Sequence, residues 1–375
     1  ATYNNVPLRV DAVTIGDDLR PLGNRVALVG KTHFAPDEAA LKRLGLSPGI
    51  DPGLPLMHAG FEPFERDDGL HPEVGGALYG PDPAYNRWLR QLGYSGMNPW
   101  HEWANSVAGD NGEVLSGWSM RNARRPARVK EEHSETAYMT DRGIEFMRRA
   151  GDQPWCLHLS YIKPHWPYIA PAPYHDMYGP AHVIPANRTA AERAAPHPVM
   201  AAFMQHEESI NFSRDEVRET VIPAYMGLIT QLDHHLGRIM TFLETSGLAQ
   251  RTIVVLTSDH GDYLGDHWLG EKDLFHEEIV RIPMLVADPR ASADATRGMT
   301  VGALVESIDL APTFLDWAGG PAAPHRHEGA SLRPLLDGTT PAAWRSAAFC
   351  DSDYSRRHAR RTLGLGPDEA RGCMV

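Results

Sequence analysis

Cysteine is scarce in this chain. Cys156, Cys350 and Cys373 are the only three in 375 residues, too few and too scattered for a disulfide framework. A reducing compartment, the cytoplasm, is therefore expected. No apolar run approaches the roughly 20 residues a membrane-spanning helix needs, so no membrane partner is expected. Basic excess is missing as well. The net charge is −12, and the nearest thing to a basic tract, Arg356-Arg357 with Arg360-Arg361, reads as a solvated helix face. A nucleic-acid partner is excluded on that ground. Internal repeats and low-complexity tracts are absent too. The first residues carry no secretory signal pattern, although a chain opening on Ala1 rather than Met does not display its true start. What is left is the composition of a globular protein long enough for one large α/β domain, with room for a small second one.

The rest of the chain is organised around residues 252–283. Thr252-Ile253-Val254-Val255-Leu256 is a β-favouring, almost wholly apolar run, the pattern of a strand buried on both faces in a parallel sheet. It breaks into Thr257-Ser258-Asp259-His260-Gly261. Ligands bind at the carboxyl ends of strands in open α/β sheets, so Asp259 and His260 stand as adjacent metal-type ligands at a catalytic address. Lys272 follows a loop rich in Gly, Asp and His, before a second apolar run, Ile282–Val286. A hard carboxylate, an imidazole and a cation at one strand end suit a metal that holds an anionic ester.

Two further strand ends carry similar chemistry. Arg25–Gly30 reads as a short buried strand, followed by Lys31 and His33, which can both donate to an anion. Taken alone, these are equally an exposed lysine and a loop histidine. Trp155–Ile162 reads as another buried strand, ending in Lys163-Pro164-His165-Trp166-Pro167. Proline stops the ladder there and fixes the backbone around His165, whose role from the residues alone is either structural or functional. Cys156, mid-strand, reads as core. Helices are expected over 82–92, over 134–150 with Ser134 as cap, and over 216–246, where apolar residues recur at spacings of three and four before Gly247. His234 and His235 on the last helix read as partly exposed and uninvolved. The prolines of 170–215 predict loop, and Val301–Trp317 reads as helix-forming. Asn98–Trp103 holds Trp100, Glu102 and Trp103 close together. These residues either pack an insertion onto the domain or wall a pocket for a quaternary ammonium group. Tyr3-Asn4-Asn5 reads as a surface loop.

Several of these segments act in combination. SDHG followed by GEK and then RIP, the intact GKTH, the strand followed by PHWP, VESIDLAPTFLDWAG and HEGASLRPLL together resemble the sulfatase branch of the alkaline phosphatase superfamily. Choline-sulfatase-like enzymes and phosphonate monoester hydrolases share its Asp-His form. The resemblance implies an α/β, alkaline-phosphatase-like fold with a mostly parallel central sheet flanked by helices on both faces. It implies a catalytic domain over 1–340 and the start of a C-terminal subdomain over 341–375. Lys31, His33 and Asn4 would bind the substrate anion, with Lys272 as a further cation. His165 would contact the bridging oxygen and protonate or orient it. Asp259 and His260 would be metal ligands. The implied reaction is hydrolysis of a small sulfate ester by a formylglycine nucleophile, made from a cysteine in a C-x-P-S-R-like segment. None of the three cysteines stands in that context, so the nucleophile, like a further pair of metal-binding aspartates, is expected upstream of Ala1. The family commonly uses Ca²⁺, while a mixed carboxylate and imidazole set leans towards Mn²⁺, which ranks Ca²⁺ first and Mn²⁺ second. Two alternatives stay open. One is a phosphonate monoester or phosphodiester hydrolase, a type that tends to replace Lys31 and His33 by neutral hydroxyl residues. The other is a non-catalytic remnant that binds anions. The partner is a small anionic ester, and the assembly is left open, a homo-oligomer included.

Overall fold

A computed structural model describes residues 7–34, 36–69, 82–353, 364, 366 and 371–374. Asn4 and the arginines at 356–361 lie outside them. The frame is a three-stranded parallel sheet in the order β2-β1-β5, with β1 over Arg25–Gly30, β2 over Glu62–Arg66 and β5 over Trp155–Ser160. β1 is central because its side chains tolerate burial on both sides: Val26 to Val29 are all at most 2% exposed. Arg25 pairs with Trp155 and Gly30 with Ser160, so the two carboxyl ends lie level. That register brings the Lys31 and His165 segments out on the same edge. Gly30 is required there: its φ is 96°, and a Cβ would overlap the Ser160 carbonyl.

β2 has no apolar run to announce it. Its pairing with β1 is irregular between Leu28 and Val29, opposite Pro63 and Glu65. Proline is tolerated at such a bulge on an edge strand. A short hairpin joins β3, Ser106–Ala108, to β4, Val114–Ser116.

The expected strand at 252–256 is present but shifted, with β6 over Val254–Thr257. It pairs antiparallel with β7, Met284–Ala287, rather than inside the parallel sheet. Nor is it buried on both faces, since Leu256 is 38% and Leu285 59% exposed. Among the described residues β6 has one strand neighbour, so its apolar run reflects half-burial, not a double-sided core. A last antiparallel pair joins β8, Cys350–Asp353, to β9, Arg371–Met374, at the expected start of a C-terminal subdomain.

The helices follow the sequence periodicities closely. α1 spans Ala84–Gln91, α2 Glu135–Ala150, α3 Asp215–Thr245 and α4 Leu310–Trp317. Ser134 caps α2 by accepting the amide of Ala137 at 3.2 Å. α2 lies across the sheet: its Met139 packs near Val29, and its Phe146 and Met147 pack near Ala27 with Ile239 and Leu243 of α3. Residues 301–306 are not helical, so the helix expected from Val301 begins only after the turn Ser307–Asp309. Within 170–215, expected as loop, three short helices form. Pro198 starts one of them instead of breaking it, because the first helical position has no amide partner to lose. His235 is buried at 2% and hydrogen-bonds Glu131 at 2.7 Å, in contrast to the partly exposed position expected, while His234 is exposed. No helix among the described residues is long and apolar enough to cross a membrane.

Candidate active site

Three strand ends converge. After β1, the chain turns through Lys31, Thr32 and His33, and His33 has a φ of 47°, left-handed for a residue with a Cβ. Burial lowers the Lys31 pKa, and its charge interacts with Asp259, Lys272, Asp68 and Glu135. Burial also lowers the pKa of His33, followed by the charges of Lys31 and Lys272. His33 is thus neutral near pH 7.

After β5, His165 is half-buried and takes up both ring nitrogens. Nδ1 donates to the Trp166 carbonyl at 2.8 Å, and Nε2 accepts from Lys272 Nζ at 2.7 Å. That assignment of ring protons follows from the ammonium, which can only donate. Burial first, then the charges of Lys272 and Lys31, push the His165 pKa down to about 2.

After β6, Asp259 presents a side chain that is 74% exposed, 3.6 Å from His260 Nε2. His260 Nδ1 donates to the Gly261 carbonyl at 2.7 Å, which leaves Nε2 as a free lone pair. Its ring centroid is 5.9 Å from that of His165. Lys272 sits on a loop where Leu264, His267, Trp268, Glu271, Asp273 and Leu274 all have left-handed φ. Such a loop holds only if its surroundings fix it. His267 does so through Glu192 at 2.9 Å and Glu278 at 3.3 Å, and Trp268 lies under the Arg188 guanidinium at 4.2 Å.

An exposed carboxylate beside an imidazole with a free Nε2 fits two ligands of a divalent metal. Among the described residues no third His, Cys, Asp or Glu completes a metal-binding group. Lys31, His33, His165, Lys272, Asp259 and His260 thus form one electrostatic neighbourhood, and only Asn4 of the sequence candidates falls outside the described residues.

The tryptophans are not part of it. Trp100 is 1% exposed within the core cluster of Tyr85, Leu89 and Met139. Trp103 donates its indole N–H to the Ser95 carbonyl at 2.7 Å, and the Arg128 guanidinium lies 4.0 Å from its ring. With Trp100 inside that cluster and Trp103 packed against it, one face under Arg128, the contacts seen are those of the packing alternative. Cys156 also behaves as core, its thiol pushed up to about 11 by burial.

Three carboxyls near the site escaped the sequence reading. Asp68 accepts the amides of Thr32 at 3.0 Å and His33 at 2.8 Å. Asp262, two residues past His260, accepts from the Tyr168 hydroxyl at 2.7 Å and is pushed up to about 7 by burial. Glu135, at the start of α2, is buried and pushed up to about 8 by burial and then by Asp67. Asp262 alone had a signal, its place in the SDHGD run. Asp68 and Glu135 reach the site only through tertiary contacts.

The sequence pattern of the sulfatase family matches residues 52–320. The multifunctional alkaline phosphatase superfamily protein PehA of Trinickia caryophylli is 30% identical over 398 residues, covering 100% of this chain and 71% of PehA. Choline-sulfatase of Rhizobium meliloti is 26% identical over 334 residues, covering 87% of this chain and 56% of that enzyme. The phosphonate monoester hydrolase of Silicibacter pomeroyi superposes with a TM-score of 0.81 at 28% identity, covering 99% of this chain and 71% of that one.

Proposed function

The chain belongs to the sulfatase family, with an alkaline-phosphatase-like α/β fold, and from that membership we propose that it hydrolyses a small sulfate ester. The observation that carries the reading is the Lys272 ammonium held 2.7 Å from His165 Nε2, within electrostatic reach of Lys31 and His33. Two cations and a neutral N–H donor, drawn from separate segments, are the donors offered to a bound anion, with the Asp259 carboxylate in electrostatic reach and Glu271 3.7 Å from Lys272 Nζ. Preorganised donors of this kind stabilise charge that develops on a transferring group.

The proton inventory assigns the steps. His165 Nδ1–H is committed to the Trp166 carbonyl, and Nε2 carries no proton at neutral pH. His165 therefore orients, and Lys272 Nζ is the group that brings a proton to the leaving oxygen. Asp259 and His260 would hold the metal, Ca²⁺ in first place and Mn²⁺ in second. When bound, a divalent cation supplies Lewis-acid polarisation of the ester oxygens. The family's nucleophile is a formylglycine, and no cysteine among residues 1–375 has the sequence context for it, so the nucleophile is not assigned to these residues. The small number of scattered cysteines favours a reducing compartment.

A second reading, phosphonate monoester hydrolysis, is favoured by the likeness to the Silicibacter pomeroyi enzyme. Against it stand Lys31 and His33, an ammonium and a neutral N–H donor that suit the non-bridging oxygens of a sulfate. Side-by-side kcat/KM on an aryl sulfate and an aryl phosphonate monoester separates the two. A sulfate preference supports the proposal, and a phosphonate preference replaces it. Sulfate binding with neither substrate turned over would leave an anion-binding protein.

A further inference from the structure

We infer that Asp68 is a positioning residue for the anion end of the site, holding the Lys31–His33 turn in a conformation it would not keep alone. The inference deepens the proposed function, because it assigns what makes the two anion-binding side chains available.

The local chemistry of the turn is unfavourable by itself. His33 is left-handed at a φ of 47°, a region that few residues with a Cβ adopt and that costs more than the right-handed one. Residues in such regions persist only where the surroundings over-determine them. Here the over-determination is visible. One oxygen of Asp68, Oδ1, accepts two consecutive amides, from Thr32 at 3.0 Å and His33 at 2.8 Å. The other, Oδ2, accepts from Arg66 Nε at 2.8 Å, and both side chains are only 4% exposed.

Arg66 carries the brace to the far end of the turn. Its Nη2 donates to the Phe34 carbonyl at 3.3 Å, and the guanidinium lies 4.7 Å from the centre of the Phe34 ring. Its Nη1 donates to the Met57 carbonyl at 3.2 Å and to His58 Nδ1 at 3.1 Å. His58 can accept because burial, then the Arg66 charge, pushes its pKa down to about 4. The near end is fixed by the sheet. The Asp67 amide donates to Gly30 at 3.2 Å and the Lys31 amide to Ser160 at 3.4 Å.

The alternative role for an aspartate beside this site is metal ligation. Both Asp68 oxygens are engaged by the turn and by Arg66, so a metal would have to displace them. The geometry fits a carboxylate spent on backbone amides, which makes the side chains of Lys31 and His33 dependent on a residue 36 positions from Thr32.

The test uses the full chain with Asp68→Asn and Asp68→Ala. Two quantities are read: hydrogen exchange of the Thr32 and His33 amides by NMR, and the dissociation constant of inorganic sulfate by calorimetry. A neutral amide oxygen is a weaker acceptor than a carboxylate, and alanine offers none. The expected order is wild type, then Asn, then Ala. Exchange at the two amides should speed up by about 10-fold in Asn and at least about 100-fold in Ala, with sulfate binding weakened roughly 3-fold and 10-fold or more. Exchange at Val26–Leu28 should stay unchanged. A folded Ala variant that keeps its amide protection or its sulfate affinity overturns the inference. If Ala does not fold, Asn decides, and wild-type values in both readouts overturn it. Wild-type protein that fails to bind sulfate refutes the proposed function instead, and the amide exchange still tests the brace.

Discussion

Replacing Lys272 by methionine removes one ammonium while keeping the length of the side chain, and its effect can be worked out from the site. Lys272 is 24% exposed, so aqueous screening is incomplete. Two unit charges about 4 Å apart attract by about 4 kcal/mol at an effective dielectric constant of about 20. Part of that is offset, because the ammonium already lies 3.7 Å from the Glu271 carboxylate and loses further hydration when an anion binds. A hydrogen bond to a charged group contributes about 1.5–3 kcal/mol net. A loss of about 2–3 kcal/mol follows, equivalent to inorganic sulfate binding roughly 30- to 150-fold more weakly. Calorimetry measures this without any turnover. A second signature has a fixed sign. The Lys272 charge lowers the pKa of both His165 and His33, with burial the larger cause in each. In Lys272→Met both should rise, though only in part, and NMR titration of His33 reports it. Sulfate affinity within threefold of wild type, or a His33 titration that does not move, would refute the assignment of Lys272 to the anion site.

Two further predictions concern the helix behind the site. Ser134 Oγ caps α2 and also accepts from Gln231 Nε2 at 2.9 Å, so Ser134→Ala should cost about 2 kcal/mol and lower the thermal midpoint by roughly 2–4 °C; an unchanged midpoint in a calorimetric scan counts against the cap. Glu135 is raised by burial and then by Asp67, so its folded pKa lies above the unfolded one, and the stability it contributes is full below about pH 4 and lost as pH rises towards 8. Glu135→Gln lacks that titration, and urea midpoints should shift in favour of the variant between pH 5 and 8; a difference constant with pH would show that Glu135 is ionised throughout.

Much of the frame was legible because its signals are local. Val26–Val29 and Trp155–Ser160 are runs of β-favouring apolar residues, and the spacing of Leu228, Leu232, Leu236 and Leu243 marks α3 without reference to anything else. β2 was not legible. Glu62-Pro63-Phe64-Glu65-Arg66 lacks both an apolar run and clean alternation, and it becomes a strand only because β1 offers an edge that tolerates a bulge at Pro63. The pairing of β6 was misread for a related reason. An apolar tetrapeptide fits a strand buried on one face or on two, and only its neighbours decide. The site candidates came from motifs, and His165 and Lys272, 107 positions apart, give no hint in the sequence of their contact. Asp68 sits in Arg66-Asp67-Asp68-Gly69, which reads as a solvated acidic turn until the fold sets it against two amides.

The donor set also bears on which ester the site prefers. A sulfate monoester and a phosphonate monoester each carry one negative charge near neutral pH, so net Coulomb attraction to Lys31 and Lys272 hardly separates them. Their shapes do. The sulfate presents three non-bridging oxygens, whereas the phosphonate presents two and a carbon substituent. On the proposed reading Lys31 and His33 each donate to a non-bridging oxygen, and Lys272, with one N–H on His165 and one on the leaving oxygen, gives its third to another, so three oxygens satisfy three donors. With a phosphonate one of these donors, two of them half-buried and His33 exposed, faces carbon. Leaving a buried donor unpaired costs about 1–3 kcal/mol, and an exposed donor such as His33, which water can reach, costs towards or below the low end of that range. His33 is the donor to watch, because a neutral imidazole has one N–H to give and cannot compensate by charge. A site in which His33 were replaced by an apolar residue of similar size should therefore lose most of its preference for sulfate while keeping most of its affinity for monoanions.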